Sequence, residues 1–254
     1  VNMPVVDLPE QGPAEQGAGE GKPGRRSHRI LHLHKNVPGV MSKVNAVMAA
    51  IVGDLPAGRA LDLGCGEGGD AVWLAQRGWT VTAVDVSQLA LDRAAAHAQD
   101  LGLSTITWER HDLTATCPAG TFDLVSAQFL QSPIEFPRAE VLRTAAASVA
   151  PGGRLLSISH AAFPSWSKHA HHDVVFPTPE EEVDALDLDP GDWAVERCEV
   201  VEREVTGARL LPHGAEVEVE RVDRVDLGEA RVADAPIDGV AQPARLLLVT
   251  EPIH

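Results

Sequence analysis

Residues 60–69 of this chain read Ala-Leu-Asp-Leu-Gly-Cys-Gly-Glu-Gly-Gly. A short apolar segment therefore runs directly into a glycine-rich turn. Glycine has no Cβ atom, so the backbone can turn tightly there and a ligand can approach it closely. A helical pattern follows from Asp70, and the first N–H groups of a helix have no partner within it. The stretch predicts a strand, a turn and a helix that hold a ligand against the turn.

A carboxylate follows this stretch at the end of a second apolar segment. Val-Thr-Ala-Val-Asp occupies residues 81–85, so the segment ends in Asp85. In sheets of alternating strands and helices, an acid at this place accepts hydrogen bonds from a ribose. Asp85 therefore predicts an adenosine-containing cofactor.

Two fingerprints compete for the identity of that cofactor. Gly64, Gly66 and Gly69 satisfy the dinucleotide pattern G-x-G-x-x-G. Asp62 lies two residues before the first glycine, where a carboxylate would repel a pyrophosphate. It would attract a sulfonium or ammonium group by about 4 kcal/mol at an effective dielectric of about 20. Together with Glu67 in the loop, it favours S-adenosylmethionine, with S-adenosylhomocysteine as product, unless Asp62 only caps the turn.

The rest of the chain alternates between strand and helix patterns as far as residue 160. Such alternation predicts a parallel, doubly wound α/β sheet, in which ligands bind outside the carboxyl ends of the strands. The polar or glycine positions at those predicted ends are Gly64, Asp85, Asp112, Gln128 and His160. We therefore expect one edge of the sheet to gather them.

Five motifs occur in order over about residues 42–185: Leu61 to Gly68, Val84 to Ser87, His111 to Leu113, Phe122 to Val125 and Pro151 to Gly153. In these motifs the chain resembles the class I S-adenosylmethionine-dependent methyltransferases. It looks most like their small-molecule group, which includes tellurite-resistance and thiopurine methyltransferases. The resemblance implies a Rossmann-like sheet of seven strands, mostly parallel with an antiparallel last strand.

The resemblance also implies a set of cofactor-binding residues. Asp85 would bind the ribose, Asp112 would accept the adenine amino group, and Gln128 would face the methionine part. A helix N-cap is the alternative role for Asp112. The full predicted set is Asp62, Gly64, Cys65, Gly66, Asp85, Val86, Asp112, Leu113 and Gln128.

Histidines supply the candidates for acceptor chemistry. His160 ends the fifth predicted strand, where a neutral imidazole could take a proton from an attacking thiol, amine or hydroxyl. It could equally be an ordinary polar residue of the pocket, because orientation and desolvation can suffice for methyl transfer. His169, His171, His172 and Asp173 form a cluster that fits an exposed loop better than a metal site, with a substrate lid as a third alternative. We therefore predict no metal.

Composition restricts the partners. The chain has 37 acidic residues against 21 Lys and Arg, a formal net charge of −16. This charge disfavours nucleic acids and anionic membranes as partners and permits a small-molecule substrate. The three cysteines form no paired framework, and no apolar run suits a bilayer span or a signal peptide, so we expect a cytoplasmic protein. The oligomeric state stays open, with a homodimer as one alternative.

The sequence predicts one domain behind a tail. Residues 1–27 are rich in Gly, Pro, Gln and Glu and predict a disordered tail. Residues 28–254 form the predicted methyltransferase domain, with an amino-terminal lid over about 28–52 and a variable hairpin or loop region over about 161–243.

The predicted function is methyl transfer to a sulfur, nitrogen or oxygen nucleophile of a small molecule. The alternatives are an NAD(P)-dependent oxidoreductase with the same glycine loop, and a non-catalytic protein that binds S-adenosylmethionine. A dehydrogenase requires neither Asp62 nor Asp112, which favours the methyltransferase.

Overall fold

The computed structural model describes residues 43–131, 136–162, 176–201, 203–205, 208–210, 216–218, 222–225 and 243–252. The described helices are α1 (Ala46–Val52), α2 (Gly69–Gln76), α3 (Gln88–Asp100), α4 (Arg138–Ala146) and α5 (Pro179–Leu186). The strands are β1 (Arg59–Leu63), β2 (Thr80–Asp85), β3 (Ile106–Arg110), β4 (Phe122–Gln128), β5 (Val149–Ala162), β6 (Trp193–Val200), β7 (Arg203–Val205), β8 (Ala208–Leu210), β9 (Glu216–Glu218), β10 (Val222–Val225) and β11 (Ala244–Pro252).

A seven-stranded sheet in the order β3-β2-β1-β4-β5-β11-β6 forms the centre of the molecule. Two apolar cores cover its two faces. One core includes residues of α1, α2 and α3, such as Val47, Leu74 and Leu91. The other includes Leu142 of α4 and Leu186 of α5. The predicted doubly wound α/β sheet is therefore confirmed, and its topological switch point lies between β1 and β4.

The prediction of an antiparallel last strand is wrong. Strand β11 runs parallel to both of its neighbours, β5 and β6. The chain between β6 and β11 explains the difference, because it spans residues 201–243. An antiparallel pair needs only a tight hairpin, whereas a parallel pair needs a crossover of a dozen or more residues. The length of this segment was the signal for a crossover.

Local sequence explains where the helices begin. Ser87 caps α3, since its side chain accepts a hydrogen bond from the backbone N–H of Ala90. Thr178 and Glu181 form a reciprocal capping box at the start of α5, and Pro179 occupies the first turn. Helix α4 ends at Ala146, and Val149 already pairs with Phe122 of β4.

The variable region contains two small antiparallel sheets, in which β7 pairs with β10 and β8 pairs with β9. The predicted hairpin or loop region thus includes short strands. The predicted tail, residues 28–42 of the predicted lid and the cluster from His169 to Asp173 lie outside the described residues. Among the described helices, none is long and apolar enough to cross a membrane.

Candidate functional site

The glycine loop after β1 has the backbone geometry that its sequence predicts. Gly64, Gly66 and Gly68 have φ angles of 69°, 54° and 79°, in the left-handed region that other residues avoid. The turn is closed by a hydrogen bond from the Gly68 N–H to the Cys65 carbonyl at 2.9 Å. Cys65 itself is 6% exposed. The loop is thus a compact turn placed at the switch point of the sheet.

Gly68 is required for packing as well as for its φ angle. A Cβ atom at this position would lie 2.5 Å from the Trp108 ring of β3 and 3.0 Å from Ala94 of α3. The loop therefore rests against its own scaffold on one side. At Gly64, a Cβ atom would lie 2.9 Å from the side chain of Leu130, which follows β4.

Asp85 acts on the glycine loop directly. Its carboxylate accepts hydrogen bonds from the Gly66 N–H and from the Ser87 N–H, both at 2.8 Å. The residue is 1% exposed. The loop and the turn after β2 are therefore joined through one buried carboxylate. Sequence reasoning predicted a ribose ligand for Asp85 and missed this clamp, which only the parallel pairing of β1 with β2 reveals.

The two other acids of the loop region have different surroundings. Asp62 lies inside β1, between Ala83 of β2 and Ser126 of β4, and is 2% exposed. Glu67 forms a salt bridge with Arg93 of α3 at 2.9 Å. This cation offsets the charge of Glu67, so the electrostatic preference for a cationic ligand rests mainly on Asp62.

Asp112 follows β3 at the same edge of the sheet and is exposed. Its Oδ1 atom accepts hydrogen bonds from the Thr114 N–H at 3.0 Å and from the Thr114 hydroxyl at 2.7 Å. The capping role that the sequence left open is therefore present, although for a turn rather than a helix. A carboxylate accepts at both oxygens, so this cap leaves Oδ2 for another donor. Leu113 packs against the second core, and the Val86 carbonyl accepts a hydrogen bond from Arg110 at 3.1 Å.

The end of β4 carries a buried polar atom without a partner. Gln128 donates from Nε2 to the Ser126 hydroxyl at 2.7 Å, while its Oε1 atom has no hydrogen-bond partner among the described residues. A buried acceptor of this kind costs free energy unless a ligand or water satisfies it. Gln128 thus fits the predicted role of facing a bound group.

His160 lies near the end of β5 and is stacked on Phe129. The two rings have centroids 4.2 Å apart and planes 15° apart. Phe129 is one of only two non-glycine residues in the described chain with a positive φ angle, at 51°. The His160 N–H donates to Gln131 Oε1 at 2.8 Å. Sequence reasoning missed Gln131, because nothing in its local pattern indicates a contact with β5.

The start of the described chain is tied to the same edge. The Asn45 N–H donates to Asp70 in the first turn of α2 at 2.7 Å. The Asn45 side chain in turn caps α1. Residues 43–45 therefore lie beside the helix that follows the glycine loop.

Part of the chain matches a known protein family. Residues 60–153 match the model of a family described as methyltransferase domain. This part of the chain thus resembles a methyltransferase domain. The match supports S-adenosylmethionine, the cofactor predicted from the sequence.

Curated relatives bear methyltransferase names. Ribosomal RNA small subunit methyltransferase C of Chromohalobacter salexigens is 32% identical over 57% of this chain and 44% of its own length. The 2-heptyl-1-hydroxyquinolin-4(1H)-one methyltransferase of Mycobacteroides abscessus is 29% identical over 62% of this chain and 65% of its own length. A ubiquinone biosynthesis O-methyltransferase of a Caulobacter strain is 40% identical over 39% of each chain. This chain thus spans 39% to 65% of the length of these relatives.

Among solved structures, TehB from Haemophilus influenzae matches 70% of this chain and 59% of its own, with a TM-score of 0.50 and 15% identity. This similarity supports the fold alone.

The site geometry fits the cofactor of class I methyltransferases. The loop glycines have left-handed φ angles that make a tight turn, and Gln128 Oε1, at the neighbouring strand end, has no hydrogen-bond partner among the described residues. The buried carboxylates of Asp62 and Asp85 lie beside the loop, which suits a ligand without phosphate.

Proposed function

We propose that this protein transfers a methyl group from S-adenosylmethionine to a nucleophilic sulfur, nitrogen or oxygen atom of a small molecule. The observation that carries the proposal is the buried Asp62 on β1, 2% exposed, directly before the glycine loop at the switch point. A fixed negative charge there favours a cation and disfavours a pyrophosphate. A nicotinamide-dependent oxidoreductase would have to place its pyrophosphate next to this charge.

Each residue at the sheet edge receives a role in this proposal. Asp62, Gly64, Cys65 and Gly66 would surround the methionine part. Asp85 and Val86 would bind the ribose, since Asp85 ends β2 beside the glycine loop that its carboxylate holds. Asp112 would accept the adenine amino group, with the Leu113 N–H on a ring nitrogen. Gln128 would face the reacting end of the cofactor, where its unpaired acceptor lies.

His160 is the proposed general base. When bound, the cofactor supplies an electrophilic methyl group on a sulfonium sulfur. His160 would accept the proton that the acceptor O–H, N–H or S–H group loses as its lone pair forms the new bond to carbon. The remaining contribution is orientation, since the reacting atoms must be held in line and close to van der Waals contact.

The charge of the chain and the names of two relatives support a small acceptor. One relative is named for a hydroxyquinolinone and another for ubiquinone biosynthesis. A third is named for ribosomal RNA, but a formal net charge of −16 opposes binding to a polyanion. We place the reaction in the cytoplasm, because all three cysteines are free thiols.

The proposal is tested by incubating the protein with methyl-labelled S-adenosylmethionine and separate thiol, amine, phenol and N-hydroxyquinolinone acceptors. We expect labelled product with at least one acceptor, and loss of activity in Asp62→Asn, which removes the charge and keeps the shape. Binding of S-adenosylhomocysteine without label transfer to any acceptor would support the non-catalytic alternative instead. A His160→Gln variant then separates general-base catalysis from orientation, since a base is needed most by a phenol below its pKa and least by a thiolate.

A further inference from the structure

We propose that Gln131 is a positioning residue that fixes His160 at the acceptor side of the site. The inference rests on the proposed function for the role of His160, and on contacts within the described chain for the role of Gln131. Gln131 itself follows β4 and reaches across to β5.

The pairing of β4 with β5 shows which hydrogen-bond acceptor the Gln131 side chain replaces. Gln128 pairs with Ile158, and the Phe129 N–H donates to the Ile158 carbonyl at 2.7 Å. In a parallel ladder that continued, the His160 N–H would next donate to the Phe129 carbonyl. It donates instead to Gln131 Oε1 at 2.8 Å. The side chain of Gln131 therefore takes the place of a backbone carbonyl in the ladder.

The positive φ angle of Phe129 explains why the ladder needs this substitute. With φ at 51°, the backbone leaves the strand at Phe129. Its carbonyl now accepts a hydrogen bond from the Gln131 N–H at 2.7 Å. The main-chain N–H of Gln131 thus donates to the Phe129 carbonyl. The Gln131 side chain supplies the acceptor that the His160 N–H loses when the Phe129 carbonyl turns away. A non-glycine residue in this region is strained and persists only where its surroundings hold it.

The same segment holds the His160 ring. Phe129 is stacked on the imidazole at a centroid distance of 4.2 Å, and the Gln131 amide fixes the peptide that carries it. A second, longer contact from Gln131 Nε2 to the His160 carbonyl at 3.5 Å sets the orientation of the amide. Phe129 therefore holds the ring of His160, and Gln131 holds its main chain; both residues lie in the segment that follows β4.

The segment also touches the cofactor side. Leu130, between Phe129 and Gln131, lies against Gly64 so closely that a Cβ there would be 2.9 Å from its side chain. The three residues thus span the switch point, from the glycine loop after β1 to His160 on β5. Gln131 is suited to set the distance between the bound methyl group and the base.

The experiment compares Gln131→Leu, which removes the acceptor, with Gln131→Glu, which keeps an oxygen at the same reach. Gln99→Leu, an exposed position on α3, is the matched control. The ring of His160 is followed by ¹⁵N NMR in the full chain, S-adenosylhomocysteine affinity by calorimetry, and methyl transfer with the acceptor that the wild type uses. If Gln131→Leu does not fold, Gln131→Ser takes its place, because a short hydroxyl cannot reach the His160 N–H.

We expect Gln131→Leu to shift the His160 ring signals and to slow methyl transfer by about tenfold or more, since small displacements of reacting groups have large effects. Affinity for S-adenosylhomocysteine should change by less than about twofold, a shift of about 0.4 kcal/mol. Gln131→Glu should recover most of the rate. Unchanged His160 signals in Gln131→Leu, or an equal loss of cofactor affinity, would overturn the proposal. If the wild type methylates no acceptor, the proposed function fails, whereas the His160 signals still decide the role of Gln131.

Discussion

At Gly68 two requirements meet, a left-handed backbone and an absent side chain. Its φ angle is 79°, and the Trp108 ring occupies the place of a Cβ at 2.5 Å. Gly102 has a similar φ of 70° with no atom within 4 Å of its Cβ position. Both glycines therefore have a backbone conformation that would strain any other residue, and they differ in how closely their neighbours pack.

We predict that Gly102→Ala costs about 1–2 kcal/mol in free energy of unfolding, the cost of the left-handed conformation. Gly68→Ala should cost a further 1–3 kcal/mol or so, because the added methyl group overpacks the site. Urea unfolding of both variants measures the difference. Equal losses of unfolding free energy in the two variants would show that the Trp108 ring moves aside at no cost. Packing would then not explain why residue 68 is glycine.

Asp85 raises a different question, because it both holds the loop and is proposed to bind the ribose. We predict that Asp85→Asn weakens S-adenosylhomocysteine binding by about 10-fold to 100-fold, as a charged hydrogen bond is worth about 1.5–3 kcal/mol. The 2′-deoxy form of the same ligand should lose much less, since it lacks one of the hydroxyls. Calorimetry with both ligands on both proteins tests this.

Equal losses for the two ligands would contradict the ribose contact and point to a structural role for Asp85, such as its contacts with Gly66 and Ser87. The Asp85→Asn unfolding free energy, measured alongside, reports on those loop contacts separately.

At the scale of elements, α4 and α5 are joined beneath β5 by a buried ion pair. Arg138 Nη1 lies 2.8 Å from Glu182 Oε1, and their side chains are 16% and 4% exposed. Ser157 and Ser159 of β5 add hydrogen bonds at 2.7 and 2.8 Å. Arg138 Nε and Glu182 Oε2 have no hydrogen-bond partner in the described part of the chain. The pair is therefore only partly satisfied.

We predict that Glu182→Leu destabilises the protein by about 3–5 kcal/mol, because it leaves the Arg138 cation buried without its counter-ion. Adding Arg138→Met should recover most of that loss, since two apolar residues avoid the desolvation of the pair. The free energies of unfolding of the single and double variants in urea decide the matter. A double variant no more stable than Glu182→Leu would show that the ion pair is a net stabilising contact.

The elements differ in how far their sequence predicts them. The cap of α3 at Ser87 and the capping box at Thr178 follow from neighbouring residues, and so both were predictable. The direction of β11 depends on its pairing with β5 and β6, and no pattern within β11 records that pairing. The contacts of Gln131 with His160 and of Asp85 with Gly66 likewise join distant parts of the chain. The site residues could be named from motifs, whereas the links among them required the sheet register.

At the scale of the whole molecule, the switch point between β1 and β4 brings together groups that lie far apart in sequence. The glycine loop, Asp85 and Gln128 meet at one edge of the sheet. The chain as a whole carries a formal net charge of −16. Such a charge disfavours polyanions as ligands and is compatible with the small acceptor that we propose. The buried carboxyl group of Asp62 lies beside the glycine loop and likewise disfavours a ligand that carries phosphate.

The central claim is that this edge binds S-adenosylmethionine rather than a dinucleotide. Isothermal titration of the full chain with S-adenosylhomocysteine and, separately, with NAD tests it most directly. We predict measurable binding of S-adenosylhomocysteine, weakened in Asp62→Asn, and no detectable heat with NAD. Binding of NAD without binding of S-adenosylhomocysteine would contradict the account.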